Sequence, residues 1–399
     1  MSENSPAPSR AESSAFWRAL DTLIPALLLF AFLGLVLIQE GAFSGRQYKD
    51  PGDGDCDYYV KQALQPGSVQ VNPFVFRILT PTLVRILKVN SNHLLEWDAA
   101  WYLFTFLLVY GSGLLFFRFC RRVLNLSVSS SCLAALMLLA NWVYARFQME
   151  IPFFPDPLNN FLWMLAFTLL FTERWGWFYV TIAVGMLNKE VILFLAPLCP
   201  LFVYLKTGKL LSRPVLRHAA LAAGICGAYW AYRYGVGRWI GMQEYRLLST
   251  NDWGVLSSLL IGVNLQKSVW HLFNTFGFLW ITFILMLREL YTAGGWRNRY
   301  LVTSLVVFGI CFFSRLFSTD VSRIYVMMAP LVVGLSAVYL DAIFAERKFQ
   351  ALVLLFFVVL AGNQGWIEGR AWLCVLNAAA LFYIVLNANR PFPRDRVPA

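Results

Sequence analysis

Residues 50–64 read DPGDGDCDYYVKQAL and hold four of the chain's 22 acidic residues, Asp50, Asp53, Asp55 and Asp57, in a sequence that is 59% hydrophobic. Carboxylates at this density suit three tasks: a calcium loop, a solvated linker, or acid–base chemistry at a site. A calcium loop of the EF-hand type needs a bidentate acid at its twelfth position. Counted from Asp53 that position is Leu64, so the pattern fails. The remaining alternatives depend on which side of a membrane the loop occupies. Other ionisable residues interrupt apolar stretches further along: Arg77, Asp156, Lys189, Glu190, Asp320 and Arg323.

The elements that must position these groups follow from composition. Only 14% of residues are charged, 17% are aromatic and the mean hydropathy is +0.59. Apolar runs recur at the length of about 20 residues that crosses a hydrocarbon core of roughly 30 Å. The net charge of +11 is then read as Lys and Arg that fix topology and meet anionic lipid, with no nucleic-acid partner implied. Seven cysteines lack CxxC spacing and read as small core residues. The three histidines, His93, His218 and His271, share no metal-ligand spacing, which argues against zinc chemistry.

Basic residues between the apolar runs predict an all-α polytopic membrane protein with about 12 transmembrane helices and both termini cytoplasmic. Residues 1–19 are expected to be a disordered cytoplasmic tail, 20–389 a single transmembrane domain and 390–399 a second tail. Expected spans are 20–39, 98–119, 128–146, 158–172, two short helices meeting at Asn188-Lys189-Glu190, 214–234, 269–287, 300–317, 324–340, 349–366 and 372–386. The two short helices follow because only about thirty residues separate Arg174 from the basic group that begins at Lys206. Broken helices are tolerated at membrane depth where they line a polar cavity. Segment 73–89 is interrupted by Arg77, Pro81, Arg85 and Lys88 and is expected to lie in the interface, with Thr80 as N-cap, Pro81 at N1, and Arg85 and Lys88 on one face. Trp97, Trp101, Trp175, Trp177 and Trp366 are expected to be interfacial anchors.

This alternation puts loops 40–97 and 235–268 outside, and with them the unusual charges: Asp53, Asp55, Asp57 and Arg77, then Glu150 and Asp156, Lys189 and Glu190, and Asp320 and Arg323. Each has a structural explanation by itself. Asp57 can pair with Lys61 at i,i+4, and Asp156 and Asp320 can cap helices. Taken together they predict one outward polar cavity, because ionisable groups at membrane depth face one another or water.

Four motifs carry a resemblance: DCDYY in the first exterior loop, NPFVFRILTP after it, the break LNKEVILFLAP, and the exterior TDVSRIYVMMAP. In that order and on that side they resemble the GT-C superfamily of membrane glycosyltransferases, which use polyprenyl-phosphate-linked sugars. The resemblance implies a first-loop aspartate as general base, Asp57 or Asp55, with Asp57 preferred beside the tyrosine pair. Transfer from a lipid phosphate would also need cations at the departing phosphate, for which Arg77, Lys189 and Arg323 are the candidates, with Asp156, Glu190, Asp320 and Tyr58 as acceptor or cavity residues. A divalent cation, Mg or Mn, would use Asp53 and Asp55, although the spread D-x-D-x-D departs from the usual paired acids. Many relatives carry a large soluble exterior domain; the last predicted span here is followed by a short tail, so acceptor recognition is expected from loops and cavity. The implied partners are a polyprenyl-phosphate sugar, a lipid, glycan or protein acceptor, and membrane lipids, in a bacterial plasma membrane. A transporter or flippase of lipid-linked saccharides, and a glycan ligase or polymerase, are the alternatives. The absence of visible repeat halves and the gathering of charge towards one face weigh against the transporter.

Overall fold

In lipid every backbone polar group must be satisfied within the chain, and a helix achieves this locally. Among the described residues every regular element is helical. The computed structural model describes residues 10–39, 55–69, 74–92, 94–239, 275–314 and 321–344, with isolated positions near the C-terminus. Its first helices are α1 (Arg10–Gln39), α2 (Asp55–Leu64), α3 (Leu79–Asn90), α4 (Trp97–Arg122), α5 (Val128–Ala140), α6 (Phe147–Glu150) and α7 (Asp156–Phe171). There follow α8 (Trp175–Gly185), α9 (Leu198–Thr207), α10 (Arg213–Trp239), α11 (Leu279–Gly294), α12 (Arg299–Ser314), α13 (Val321–Tyr325) and α14 (Ala329–Phe344). A 3-10 turn, Phe74–Phe76, precedes α3, and another, Glu190–Leu195, lies between α8 and α9.

Four stretches are long and apolar enough to cross a membrane, Asp21–Ile38, Trp97–Arg122, Glu190–Thr207 and Arg323–Ile343, and a bent pair makes a fifth. Twelve spans are therefore met only in part; those expected at 349–366 and 372–386 lie outside the described residues. The helix α1 begins at Arg10, ahead of the expected start at 20. The central element is α14, buried almost throughout and packed on α11 and α5. Towards the edge, α1 leans on α4 and α5 and leaves Leu27, Phe30 and Leu35 exposed, the surface a lipid-facing helix presents.

Three local expectations are corrected. Residues 128–146 do not run straight: the chain bends by 66° between α5 and the helical segment Trp142–Glu150. Asn141 causes the break, because its Oδ1 accepts from the backbone N–H groups of Val143 and Tyr144, at 3.1 and 3.2 Å. Such a bond starts a new helix inside an apolar run. Second, α3 starts at Leu79 with Ile78 as N-cap, so Thr80 and Pro81 lie inside its first turn, and Lys88 is buried, not presented on one face with half-exposed Arg85. Third, Trp101 is no interfacial anchor. It packs with Tyr59, Phe74 and Val84 in a small core between α4 and the α2–α3 segment. Trp177 is exposed as an anchor would be, and Trp366 lies outside the described residues.

The far end of α7 is tied differently. Glu173 adopts a left-handed φ of 57° just past α7, and its carboxylate meets Lys206 at 2.7 Å and Arg299 at 3.9 Å. All three side chains are a third exposed or more.

The break after α8 depends on a close approach. A Cβ on Gly185 would stand 2.5 Å from Ile192 Cδ1 and 3.1 Å from its Cγ2, whereas one on Gly176 would meet nothing within 4 Å. Gly185→Val should lower stability by about 1–3 kcal/mol. Gly176→Ala should leave it unchanged or slightly raised. Thermal unfolding of the purified variants in detergent checks the contrast.

Candidate functional site: two carboxylates gripped by three cations

Arg77 stands between the Phe74–Phe76 turn and α3. Its Nη2 and Nε donate to Glu190 Oε1 and Oε2, at 2.7 and 3.2 Å, a two-point contact from 113 residues away. The remaining terminal nitrogen, Nη1, donates to the Tyr59 hydroxyl of α2 at 2.9 Å. The planar fork of a guanidinium suits such pairing. Burial opposes the Arg77 charge, but Glu190 and Tyr59 more than offset it, so its pKa rises above the ordinary value. Burial also pushes the Tyr59 hydroxyl up, against the pull of Arg77, and keeps it protonated.

Asp156 is the first residue of α7, where the helix dipole favours negative charge. Its Oδ1 accepts from Lys189 Nζ at 2.5 Å and its Oδ2 from Arg323 Nη1, on α13, at 2.9 Å. It is not the N-cap of α7, which is Pro155. The Arg323 guanidinium also lies over the rings of Phe154, at 4.5 Å to the centroid, and Phe147, at 5.8 Å. Both phenylalanines are delivered by the bend at Asn141 and the turn after it.

Neighbouring residues join the two ion pairs. After α8 ends, Lys189 is extended, with φ −157° and ψ 124°. Extended backbone sends successive side chains to opposite sides. Lys189 therefore reaches Asp156 while Glu190 reaches Arg77. Of the residues singled out in the sequence, Arg77, Lys189, Glu190, Asp156 and Arg323 are thus brought together. In side-chain exposure Asp156 is at 6%, Arg77 at 14%, Arg323 at 16%, Lys189 at 23% and Glu190 at 32%, so the cluster opens on the Lys189–Glu190 side.

Asp57 is buried in the first turn of α2, and Asp55 opens that helix. Tyr58 stacks on Phe74, with centroids 4.5 Å apart, and it is Tyr59 that meets the cation. Asp53 and Asp320 lie outside the described residues. Sequence reasoning missed Tyr59, the two phenylalanine walls, and Arg233 of α10, whose guanidinium lies 4.4 Å above the Phe76 ring. The available signal was the adjacency of Phe76 to Arg77 and of Tyr59 to Tyr58.

A divalent ion does not fit the cluster described. Both oxygens of Asp156 and both of Glu190 are engaged by cations. Among the described residues no group of three His, Cys, Asp or Glu could hold a metal.

Burial decides what these ion pairs contribute. Removing one partner of a buried pair costs roughly 3–5 kcal/mol, because the other charge stays uncompensated. Asp156→Ala strands two cations and should fall in that range. Glu173→Gln, at the exposed cluster, should cost about 0–1 kcal/mol. Chemical or thermal unfolding in detergent separates the two. Equal losses would mean that the Asp156 cluster is solvated in the native protein.

No protein-family model matches the sequence, and no curated protein matches it. Among solved structures the fold is similar to a crystal structure of the Archaeoglobus fulgidus oligosaccharyltransferase in complex with Zn and sulfate, with a TM-score of 0.52 and 14% identity. The match covers 93% of this chain and 58% of that protein, so the chain spans a little over half of its neighbour's length. The all-helical fold expected from the sequence is the fold found, and it is similar to that of this oligosaccharyltransferase.

Proposed function

We propose that this chain is a membrane glycosyltransferase that moves a hexosyl or pentosyl group from a polyprenyl-phosphate donor to an acceptor hydroxyl on the exoplasmic face. The observation that carries the reading is the meeting of Arg77, Lys189 and Arg323 on two carboxylates, in a fold similar to an oligosaccharyltransferase. The five groups hold one more positive than negative charge, which suits an anionic ligand. In this reading the three cations receive the donor phosphate, the prenyl chain stays in lipid, and the acceptor, on a lipid, glycan or protein, approaches from the aqueous side. Both termini are then cytoplasmic, and the membrane is a bacterial plasma membrane. Asp156, Glu190, Asp320 and Tyr58 shape the cavity. A divalent ion, Mg or Mn, would have Asp53 and Asp55 as its candidate ligands, and no step here is routed through it.

The reaction is a direct displacement. The acceptor oxygen attacks the anomeric carbon while the bond from that carbon to the phosphate oxygen breaks, which inverts the centre. The acceptor proton passes to the carboxylate of Asp57, or of Asp55 in the second assignment. Polyprenyl phosphate leaves with the bonding electron pair, and the cations stabilise the charge it gains, an electrostatic effect that is often the largest in catalysis.

Asp57→Asn should lower turnover about 100- to 10,000-fold, the usual contribution of a general base, while thermal stability and donor binding are kept. Asp55→Asn should change turnover little. The measurement is donor consumption by purified protein in nanodiscs, with a panel of polyprenyl-phosphate sugars and acceptors. A loss confined to Asp55→Asn would move the base to that residue. Full turnover in both variants would remove the first-loop base, and movement of intact donor across vesicles without cleavage would replace the transferase by a flippase.

A further inference from the structure

Between the two ion pairs stands a neutral side chain that the proposed reaction does not use. Asn188 is fully buried. Its Oδ1 accepts from the Thr80 hydroxyl of α3 at 2.6 Å, and its Nδ2 donates to the Pro155 carbonyl, ahead of α7, at 2.9 Å. The amide orientation is fixed chemically, since a backbone carbonyl only accepts and must face the NH₂ end. The backbone repeats the tie: Leu79 N–H donates to the Leu187 carbonyl at 3.1 Å.

The positions of these partners matter. Thr80 follows Arg77 by three residues, Pro155 directly precedes Asp156, and Asn188 directly precedes Lys189 and Glu190. Each of its two hydrogen bonds therefore joins the chain segment that carries one ion-pair partner to the segment that carries the other. The Thr80 bond registers Arg77 against Glu190, and the Pro155 bond registers Asp156 against Lys189. Long cationic side chains lose rotamer freedom when held, and the one-point contact of Lys189 with Asp156 sets no register by itself. Two short bonds from one planar carboxamide tolerate little sliding.

We propose that Asn188 is a positioning residue: its carboxamide sets the register between the Arg77–Glu190 and Lys189–Asp156 pairs, and so the spacing of the cations offered to a phosphate. The phosphate part rests on the function proposed above; the register itself does not.

Thr80→Val tests this with little change of shape, and Thr80→Ser restores the hydroxyl. The probe is polyprenyl monophosphate without sugar, titrated against the full chain in nanodiscs. Losing the Thr80 bond leaves a buried carboxamide oxygen without that donor, and Thr80→Val should weaken binding about tenfold. Thr80→Ser should bind within about threefold of wild type. In an Arg77→Met background the Thr80→Val change should produce no further loss. Losses that multiply in the double variant, or a Thr80→Val protein that is less heat-stable yet binds as wild type does, would overturn the proposal.

If the wild-type chain binds no polyprenyl monophosphate, the donor reading fails and the register is read on thermal midpoints. Thr80→Val and Glu190→Gln should then give a combined drop smaller than the two separate drops. Drops that add in full would overturn the register as well.

Discussion

A carboxylate buried at the start of an apolar helix constrains everything around it. Asp156 is almost fully enclosed, and an ionised group so placed is costly unless it is paired and hydrogen-bonded. The helix dipole of α7 supplies part of the compensation. The rest comes from Lys189 and Arg323, one on each oxygen. Because those cations belong to the break after α8 and to α13, neutralising one aspartate fixes three distant segments at the same end of the bundle. Glu173 shows the contrast. It also meets two cations, but all three groups are substantially exposed, and water does much of the work that Lys189 and Arg323 do for Asp156.

Two interruptions of helical structure make that convergence geometrically workable. A straight run through Asn141 would carry Phe147 and Phe154 away from Arg323. The 66° bend instead returns the chain to the site, and Asn141 itself satisfies the N–H groups that the bend releases. The second interruption, at residues 186–189, turns the chain and presents Lys189 and Glu190 on opposite sides of one extended residue. At both interruptions polar side chains enter where helix ends already require polar partners, a single solution to two separate costs.

Much of this architecture was legible in the sequence, for identifiable reasons. Apolar runs bounded by Arg and Lys located α4, α7, α10 and α12 as helices, and of these α4 is among the stretches long and apolar enough to cross a membrane. The break at Asn188-Lys189-Glu190 could be read because too few residues separate the flanking basic groups for two full spans. The choice of pairing partners was not legible. Arg77 and Glu190 are 113 residues apart and Arg323 and Asp156 are 167 apart, and no local pattern encodes such distances. The sequence does not tell adjacent Tyr58 and Tyr59 apart; the rotation of α2 decides which one faces Arg77, and it is Tyr59, packed with Phe74, Val84 and Trp101. The bend at Asn141 was missed for a different reason. One asparagine in an apolar run reads equally well as a tolerated polar residue and as a cap; the bonds from the Val143 and Tyr144 N–H groups to its Oδ1 make it a cap, and its Nδ2 is held by the distant Thr275 carbonyl at 2.5 Å, a partner no local pattern shows.

The walls around the cations follow a logic of their own. A carboxylate against every guanidinium would leave the cluster neutral or negative. Arg323 instead shares Asp156 with Lys189 and rests on Phe154 and Phe147, and Arg233 rests on Phe76. An aromatic face attracts a cation through its quadrupole but carries no net charge, so it stabilises the guanidinium without cancelling it. Stacking also occupies the flat face of arginine and not its N–H edge, the edge that pairs with carboxylate or phosphate oxygens. Cations buried this way keep their long-range field while losing side-chain motion. Lysine has no flat face to stack, and Lys189 is the most exposed of the three cations that grip the carboxylates. In the donor-phosphate reading proposed above, an anion would therefore disturb the least structure by approaching on the Lys189 side of the cluster.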